Sequence, residues 1–144
     1  MSQEIIAKAA KIVKENTAHG GETGFGMCTL SLIDAQGYPT ASVVTPSKAE
    51  GIHWMTFGTM LDQSRAKRVA NCNRASVCFG SAEHCVNLVG EMEIITSHDV
   101  KREMWYEGLA HHFEGPDDPN YCVLKFTTKR YKLFIDFEEA AGTL

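Results

Sequence analysis

The segment HCVNLVGEMEIIT, residues 84–96, carries the clearest strand pattern in the sequence. One side of an extended chain is apolar here, with Val86, Leu88, Met92 and Ile94. The other side is polar, with Asn87, Glu91 and Glu93. An alternation with a period of two is typical of a β-strand that buries one face. The segment therefore predicts a long strand with one face in a core.

Further strands are predicted on both sides of this segment, at 25–33, 38–46, 51–57, 75–81, 121–127 and 130–137. Helices are predicted at 3–18, after Asp62 and over 97–113, where apolar residues recur at helical spacing. The strands do not alternate strictly with helices, which argues against a parallel sheet. Short polar turns join the first three strands and favour antiparallel pairing. An antiparallel sheet of six or seven strands that curls into a barrel fits this order, because closure removes exposed edges.

Length and charge indicate one domain without a general affinity for polyanions. The chain has 144 residues, of which 44% are hydrophobic, and this is enough for a single core. We expect one domain over 1–144, with a helix at 3–18 and a tail at 138–144. A net charge of -4 argues against nucleic acid or an anionic membrane as the main partner. Five cysteines without a C-x-x-C pair, and no apolar run of membrane-spanning length, predict a cytoplasmic protein.

A cluster of basic residues opens the helix predicted after Met60, in the segment LDQSRAKRVANCNRASVCFG, residues 61–80. Arg65, Lys67 and Arg68 crowd its first turns, where the helix dipole makes positive charge mildly unfavourable. An anion docked at the helix start would relieve that conflict, because backbone N–H groups, hydroxyls and guanidinium donors converge there. The candidate donors are Thr59, Gln63, Ser64 and Arg65. The alternative is a solvated basic face that Asp62, as the helix cap, offsets.

Other residues that suggest chemistry have simpler explanations. His111 and His112 are neighbours that diverge by about 100 degrees on a helix, so they predict a solvated helix end and no metal site. His84 and Cys85 point to opposite faces of a strand and do not form a nucleophile pair. No Ser/His/Asp set or Walker-type loop is present. We therefore assign no catalytic side chain.

The order of these motifs resembles the pyridoxamine 5'-phosphate oxidase-like FMN-binding split-barrel family, in particular its short general stress protein branch. The resemblance rests on the hairpin TLSLIDAQGYPTASVV, on IHWMTFGTMLDQSRAKRVANCNRASVCF, and on NLVGEMEII, KREMWYEGLAHHF and GPDDPNYCVLKF. It covers residues 20–137. It implies an α+β, mainly antiparallel β fold, built as a six- to seven-stranded split β-barrel with flanking helices, and it implies FMN as the cofactor.

The resemblance also implies a set of cofactor-binding residues: Ser42, Val43, Val44, Thr59, Gln63, Ser64 and Arg65. Arg65 stands where family members grip the FMN phosphate, and Thr59 stands at the threonine that opens the same segment. The backbone of Val43 and Val44 would lie along the isoalloxazine ring.

Several of these positions depart from the family pattern. Ser42 stands where the oxidases have a second phosphate-binding arginine, and Ser47 stands where they have a lysine. Gln63 occupies a usual serine position, and Ser64 a position that is often basic. Lys67 is a candidate to restore the lost charge. These departures predict a depleted FMN site.

The function that the resemblance implies is that of a homodimeric FMN-dependent oxidoreductase. Its partners would be a small-molecule substrate and a reduced nicotinamide or similar electron donor. Pyridoxamine phosphate oxidation itself is not expected, because the closing segment YKLFIDFEEAAGTL lacks the arginine-rich motif of those oxidases. The departures leave a second hypothesis open, a non-enzymatic ligand-binding or stress-response module that uses the barrel cleft for haem or a deazaflavin.

Overall fold

The computed structural model describes residues 2–24 and 26–144, so Met1 and Phe25, the first residue of the predicted strand 25–33, lie outside the described residues. The helices are α1 (Ser2–Glu15), α2 (Ser64–Asn71), α3 (His98–Met104) and a 3₁₀ helix (Glu107–His111). The strands are β1 (Cys28–Ile33), β2 (Pro39–Val44), β3 (Ala49–Glu50), β4 (Trp54–Met60), β5 (Arg74–Gly80), β6 (His84–Ile95), β7 (Tyr121–Ile135) and β8 (Glu138–Thr143).

One antiparallel sheet contains all eight strands, in the order β2-β1-β5-β6-β7-β4-β3, with β8 also paired to β7. The pairing order ends at β2 and β3, so the sheet does not close on itself. This confirms the predicted α+β, mainly antiparallel split barrel. The described residues contain eight strands: the two predicted at 121–127 and 130–137 are one, residues 138–143 of the predicted tail form β8, and β3 is an additional two-residue strand.

The strands predicted at 121–127 and 130–137 are one continuous strand, β7. Its first half pairs with β4 and its second half with β8, while β6 pairs with it from Val123 to Ile135. The break that the sequence suggested is a β-bulge, since Val89 pairs with Arg130 but Gly90 pairs with Thr128. A Cβ atom at Gly90 would overlap the carbonyl group of Thr127, so the bulge requires glycine at this position.

The first helix ends earlier than predicted, at Glu15 instead of residue 18. Two side chains form hydrogen bonds with carbonyl groups of its last turn: Asn16 Nδ2 donates to Ile12 O at 2.9 Å, and Thr17 Oγ1 donates to Lys14 O at 2.8 Å. Side chains that bond nearby backbone groups in this way compete with helix continuation. The buried face of α1, with Ile5, Ala9 and Val13, joins the main core inside the barrel.

The helix predicted over 97–113 is interrupted after Met104. Trp105 and Tyr106 are extended, with φ and ψ of -63° and 141° and of -144° and 160°, before the 3₁₀ helix begins. This bend lets Trp105 contact Tyr121 and Phe113 at ring-centroid distances of 5.4 and 6.4 Å. Tertiary packing has overridden the helical periodicity. Within the described part of the chain, no helix is long and apolar enough to cross a bilayer.

Candidate functional site

A cavity of about 460 Å³ opens where β2, the end of β4, the start of α2 and the 3₁₀ helix meet. Five of the seven predicted site residues line it: Ser42, Thr59, Gln63, Ser64 and Arg65. Val43 and Val44 follow Ser42 on β2 but do not line this cavity. Val43 is 63% exposed, and Val44 packs against the core. Ser47 is fully buried outside the cavity wall and brings no charge to it.

The first turn of α2 faces the cavity without a side-chain cap. Gln63 is the N-cap residue, with an extended backbone and no capping hydrogen bond from its side chain. The expectation that Asp62 caps this helix is wrong, because its Oδ1 accepts a hydrogen bond from Asn120 Nδ2 at 3.2 Å. The carbonyl oxygen of Asn120 also accepts a hydrogen bond from the N–H of Leu61 at 2.8 Å. The loop before β7 therefore holds the residues that lead into α2. Uncapped N–H groups at a helix start are donors for an anion.

Two guanidinium groups stand beside this helix start. Arg65 Nε donates to Ser42 Oγ at 3.3 Å. Arg68 Nη1 donates to Thr40 Oγ1 at 3.1 Å, and its Nη2 donates to Ser64 Oγ at 3.0 Å. Both arginines thus hold neutral hydroxyl groups and line the same cavity.

Arg68 was not among the predicted site residues, although its spacing from Ser64 and Arg65 indicates that the three share one face of α2. Residues three and four apart share a face of a helix, so Arg68 lies on the side of Ser64 and Arg65. Lys67, the residue expected to restore charge, is exposed and does not line the cavity. The second positive charge of the site therefore comes from Arg68.

The two guanidinium groups lack a counter-charge within the described residues, because neither of them forms an ion pair with a carboxylate there. Burial and, secondarily, the like charge of Arg68 lower the pKa of Arg65. Both effects disfavour the charged form of Arg65, and a bound anion would oppose both. The arrangement can therefore hold an anionic group against Arg65, Arg68 and the start of α2.

An apolar wall faces the polar end of the cavity and is supplied by Leu109, Phe113 and Met60. Leu109 and Phe113 are only 5% and 7% exposed. Phe113 is held by Tyr121, whose ring centroid lies 5.1 Å away. Tyr121 in turn donates its hydroxyl to Lys101 O at 2.9 Å, which anchors the ring to α3. The cavity thus combines a cationic end with an apolar side.

His112 borders the same cavity. The sequence predicted only a solvated helix end at this residue. Its imidazole remains exposed, as expected at a helix end. In the described ranges, no three His, Cys, Asp or Glu side chains gather in a group that could hold a metal ion.

Three solved structures resemble this fold over nearly the whole chain. A Clostridium acetobutylicum protein related to general stress protein 26, of the pyridoxinephosphate oxidase family, has a TM-score of 0.83 at 18% identity, covering 100% of this chain and 97% of that one. A heme-binding protein from Mycobacterium smegmatis has a TM-score of 0.71 at 18% identity, covering 96% and 57%. A pyridoxamine 5'-phosphate oxidase-related, FMN-binding protein from Nostoc punctiforme has a TM-score of 0.64 at 12% identity, covering 99% and 94%.

Sequence comparison gives the family directly. None of the curated protein sequences matches this chain at a significant level. A family model described as pyridoxamine 5'-phosphate oxidase matches residues 22–134, which include every strand from β1 to β6, helices α2 and α3, and most of β7. The chain therefore belongs to the pyridoxamine 5'-phosphate oxidase family.

Proposed function

We propose that this protein binds FMN in the cavity, with the FMN phosphate at the start of α2. The observation that carries the proposal is the pair of guanidinium groups, Arg65 and Arg68, beside an uncapped helix turn and without a carboxylate partner among the described residues. A phosphate dianion accepts several charge-assisted hydrogen bonds at once, and helix N-termini are common phosphate sites.

The cavity fits such a ligand in size and in chemistry. Its volume of about 460 Å³ falls within the roughly 300–1,000 Å³ of typical cofactor sites. The cationic end suits the phosphate, and the wall of Leu109 and Phe113 suits an apolar ring system. In this proposal Arg68 compensates for the serine at position 42, so the site is less depleted than the sequence suggested. The place along the ring that the resemblance implies for the backbone of Val43 and Val44 requires the ring to extend beyond the cavity, because neither residue lines it.

The proposed activity is oxidoreduction of a small molecule. When bound, FMN supplies the hydride or electron transfer, and the protein supplies binding, orientation and exclusion of water. Arg65, Arg68 and the first turn of α2 would fix the phosphate. Leu109 and Phe113 would keep water from one side of the ring. A reduced nicotinamide is the proposed electron donor, and the five free cysteines accord with the proposed cytoplasmic location.

A homodimer is part of the proposal. Tyr38 and Val43, which are 69% and 63% exposed, present apolar surface on and beside β2, the strand at one end of the pairing order. The same strand lines the cavity through Thr40, Ala41 and Ser42. A second copy packed on this edge would cover the exposed side of the cofactor. Light scattering of the purified protein checks this, with twice the chain mass expected and a stable monomer contradicting it.

Ligand titration tests the cofactor assignment. The purified protein is expected to be yellow, or to become so with added FMN, and to quench flavin fluorescence. Riboflavin is the matched ligand because it keeps the ring and lacks the phosphate. FMN should bind at least about 10-fold more tightly than riboflavin, the effect of one charged hydrogen bond of roughly 1.5 kcal/mol or more. Equal affinities would contradict the phosphate site.

The second candidate function is that of a ligand-binding or stress-response module without enzymatic activity, carrying haem or a deazaflavin. His112 at the cavity border favours the haem version, because an imidazole can ligate haem iron. A structural neighbour is also described as a heme-binding protein. A Soret band from the purified protein, lost in His112→Ala, would support this candidate over FMN. Binding of a deazaflavin in preference to FMN and haem would support the module that carries a deazaflavin.

A further inference from the structure

Two thiols meet on the β5–β6 hairpin, outside the cavity. Sγ of Cys78 lies 3.6 Å from Sγ of Cys85. Cys78 pairs in register with Asn87, and Cys85 pairs with Gly80. The two cysteines are therefore diagonal neighbours across an antiparallel strand pair. Neither of them lines the cavity.

Gly80 makes the contact possible. It lies directly opposite Cys85 and has no side chain, so the space above it is open to a neighbour. Sγ of Cys78 lies 3.8 Å from the point that a Cβ atom at Gly80 would occupy. The thiol of Cys78 thus reaches over the glycine toward Cys85.

The turn of the hairpin holds the two strands at a fixed separation. The N–H of Ser81 donates to His84 O at 2.9 Å. The hydroxyl of Ser81 accepts hydrogen bonds from the N–H groups of Glu83 and His84 at 3.1 and 3.3 Å. The close approach of the two sulfur atoms is therefore built into an ordered hairpin.

The two thiols are accessible and chemically distinct. Both are free and half-buried, whereas Cys28 and Cys122 are buried. Burial first, and then the hydrogen bond to Cys85, raise the pKa of Cys78 to about 11. Cys78 therefore keeps its proton, while either sulfur atom can be the donor of the hydrogen bond between them.

We infer that Cys78 and Cys85 form a dithiol that hydrogen peroxide oxidises to an intrachain disulfide. The thiolate of Cys85 attacks a peroxide oxygen, the O–O bond breaks, and a sulfenic acid forms as hydroxide leaves. Cys78 then displaces the oxygen of the sulfenic acid as water, and the S–S bond forms. The hydroxide takes up the proton that Cys85 released. Two thiols thus lose two electrons to one peroxide, which ends as two water molecules.

Closing the bond requires the side chains and the strands to move. The sulfur atoms must approach from 3.6 Å to the disulfide length of about 2.05 Å. Because diagonal neighbours are typically about 7–8 Å apart and disulfides usually span about 4.4–6.8 Å between Cα atoms, β5 and β6 must also draw together at this end of the hairpin. In a reducing compartment such a bond is transient, as is typical of redox-sensing pairs.

Peptide mapping tests the inference on the full-length protein. The reduced protein is treated with hydrogen peroxide, alkylated and digested with trypsin, which releases residues 75–101 with Cys78 and Cys85 as their only cysteines. We expect this peptide to lose two hydrogen masses and to resist alkylation until it is reduced. Digestion after Glu83 should leave the two halves joined.

Single variants separate the two roles. In Cys78→Ser, a sulfenic acid should persist at Cys85 and be trapped by dimedone. In Cys85→Ser, dimedone labelling at Cys78 should stay at background. Cys72→Ser is the matched control, since Cys72 is another half-buried thiol, and it should leave disulfide formation unchanged. An unchanged peptide 75–101, a disulfide only after denaturation, or a link between two chains would overturn the inference. Because neither thiol lines the cavity, the result does not depend on FMN binding.

Discussion

Arg65 donates a hydrogen bond from Nε to the hydroxyl of Ser42, 3.3 Å away on strand β2. The contact joins the start of α2 to the sheet through a neutral partner, and no carboxylate in the part of the chain that the structure describes forms an ion pair with Arg65. The oxidases that the sequence resembles have arginine at position 42, and here the second guanidinium comes from Arg68 on the same helix. The proposed phosphate site thus keeps two positive charges, but the second one lies on α2 and not on β2.

Removing either arginine should weaken FMN binding selectively. Arg65→Ala and Arg68→Ala each delete charge-assisted hydrogen bonds, and we expect FMN affinity to fall by about 10- to 100-fold, or roughly 1.5–3 kcal/mol. Riboflavin affinity should change little, because riboflavin has no phosphate. Lys67→Ala is the control on the same helix, since Lys67 is exposed outside the cavity. Fluorescence titration measures all three variants, and equal losses for the two ligands would refute the assignment.

Salt should distinguish the same two ligands without a substitution. The distance over which charges act shrinks from about 10 Å at 0.1 M salt to about 3 Å at 1 M. FMN affinity should therefore fall with added sodium chloride, while riboflavin affinity stays nearly constant. Parallel titrations across this range provide the measurement. A salt-independent affinity for FMN would mean that its phosphate does not contact the arginines.

We expect Asp118, in the loop before β7, to make a pH-dependent contribution to the free energy of unfolding. Its carboxylate accepts hydrogen bonds from the N–H groups of Asn120 and Glu114 at 2.9 and 3.0 Å, and these bonds lower the pKa of Asp118 from its ordinary value. The stabilising contribution is complete above the ordinary carboxyl pKa and is lost as pH falls through the lowered pKa in the folded protein.

Thermal unfolding between pH 7 and pH 3 measures this contribution. Asp118→Asn should unfold at a lower temperature than the parent protein at neutral pH, and the difference should narrow in acid. Glu103→Gln, which changes an exposed carboxylate on α3, is the control. A difference that is independent of pH would contradict the role of the charged form.

The β-bulge should tolerate no side chain at position 90. Gly90→Ala places a Cβ atom against the Thr127 carbonyl group, so we expect a loss of roughly 1–3 kcal/mol in the free energy of unfolding. Gly115→Ala is the matched control, because nothing lies within 4 Å of the added Cβ atom. Urea denaturation measures the free energy of unfolding of both variants. Similar values for the two would contradict this prediction and show that the bulge can relax.

Local sequence patterns predicted the strand at β6 and the sheet type, because one-sided burial leaves a period of two. They did not predict that β7 is continuous, since the bulge at Gly90 depends on pairing with a distant strand. They also extended the helix past Met104, where the packing of Trp105 on Tyr121 bends the chain. At the site, the position of Arg65 in the family motif predicts a phosphate contact. Arg68 was missed because its role depends on which face of α2 meets β2.

A crystal structure of the protein grown with excess FMN tests the central claim most directly. The account predicts the phosphate within hydrogen-bonding distance of Arg65, Arg68 and the backbone N–H groups at the start of α2, with the ring beside Phe113. A cavity filled by the protein's own side chains, or FMN bound with its phosphate elsewhere, would contradict it.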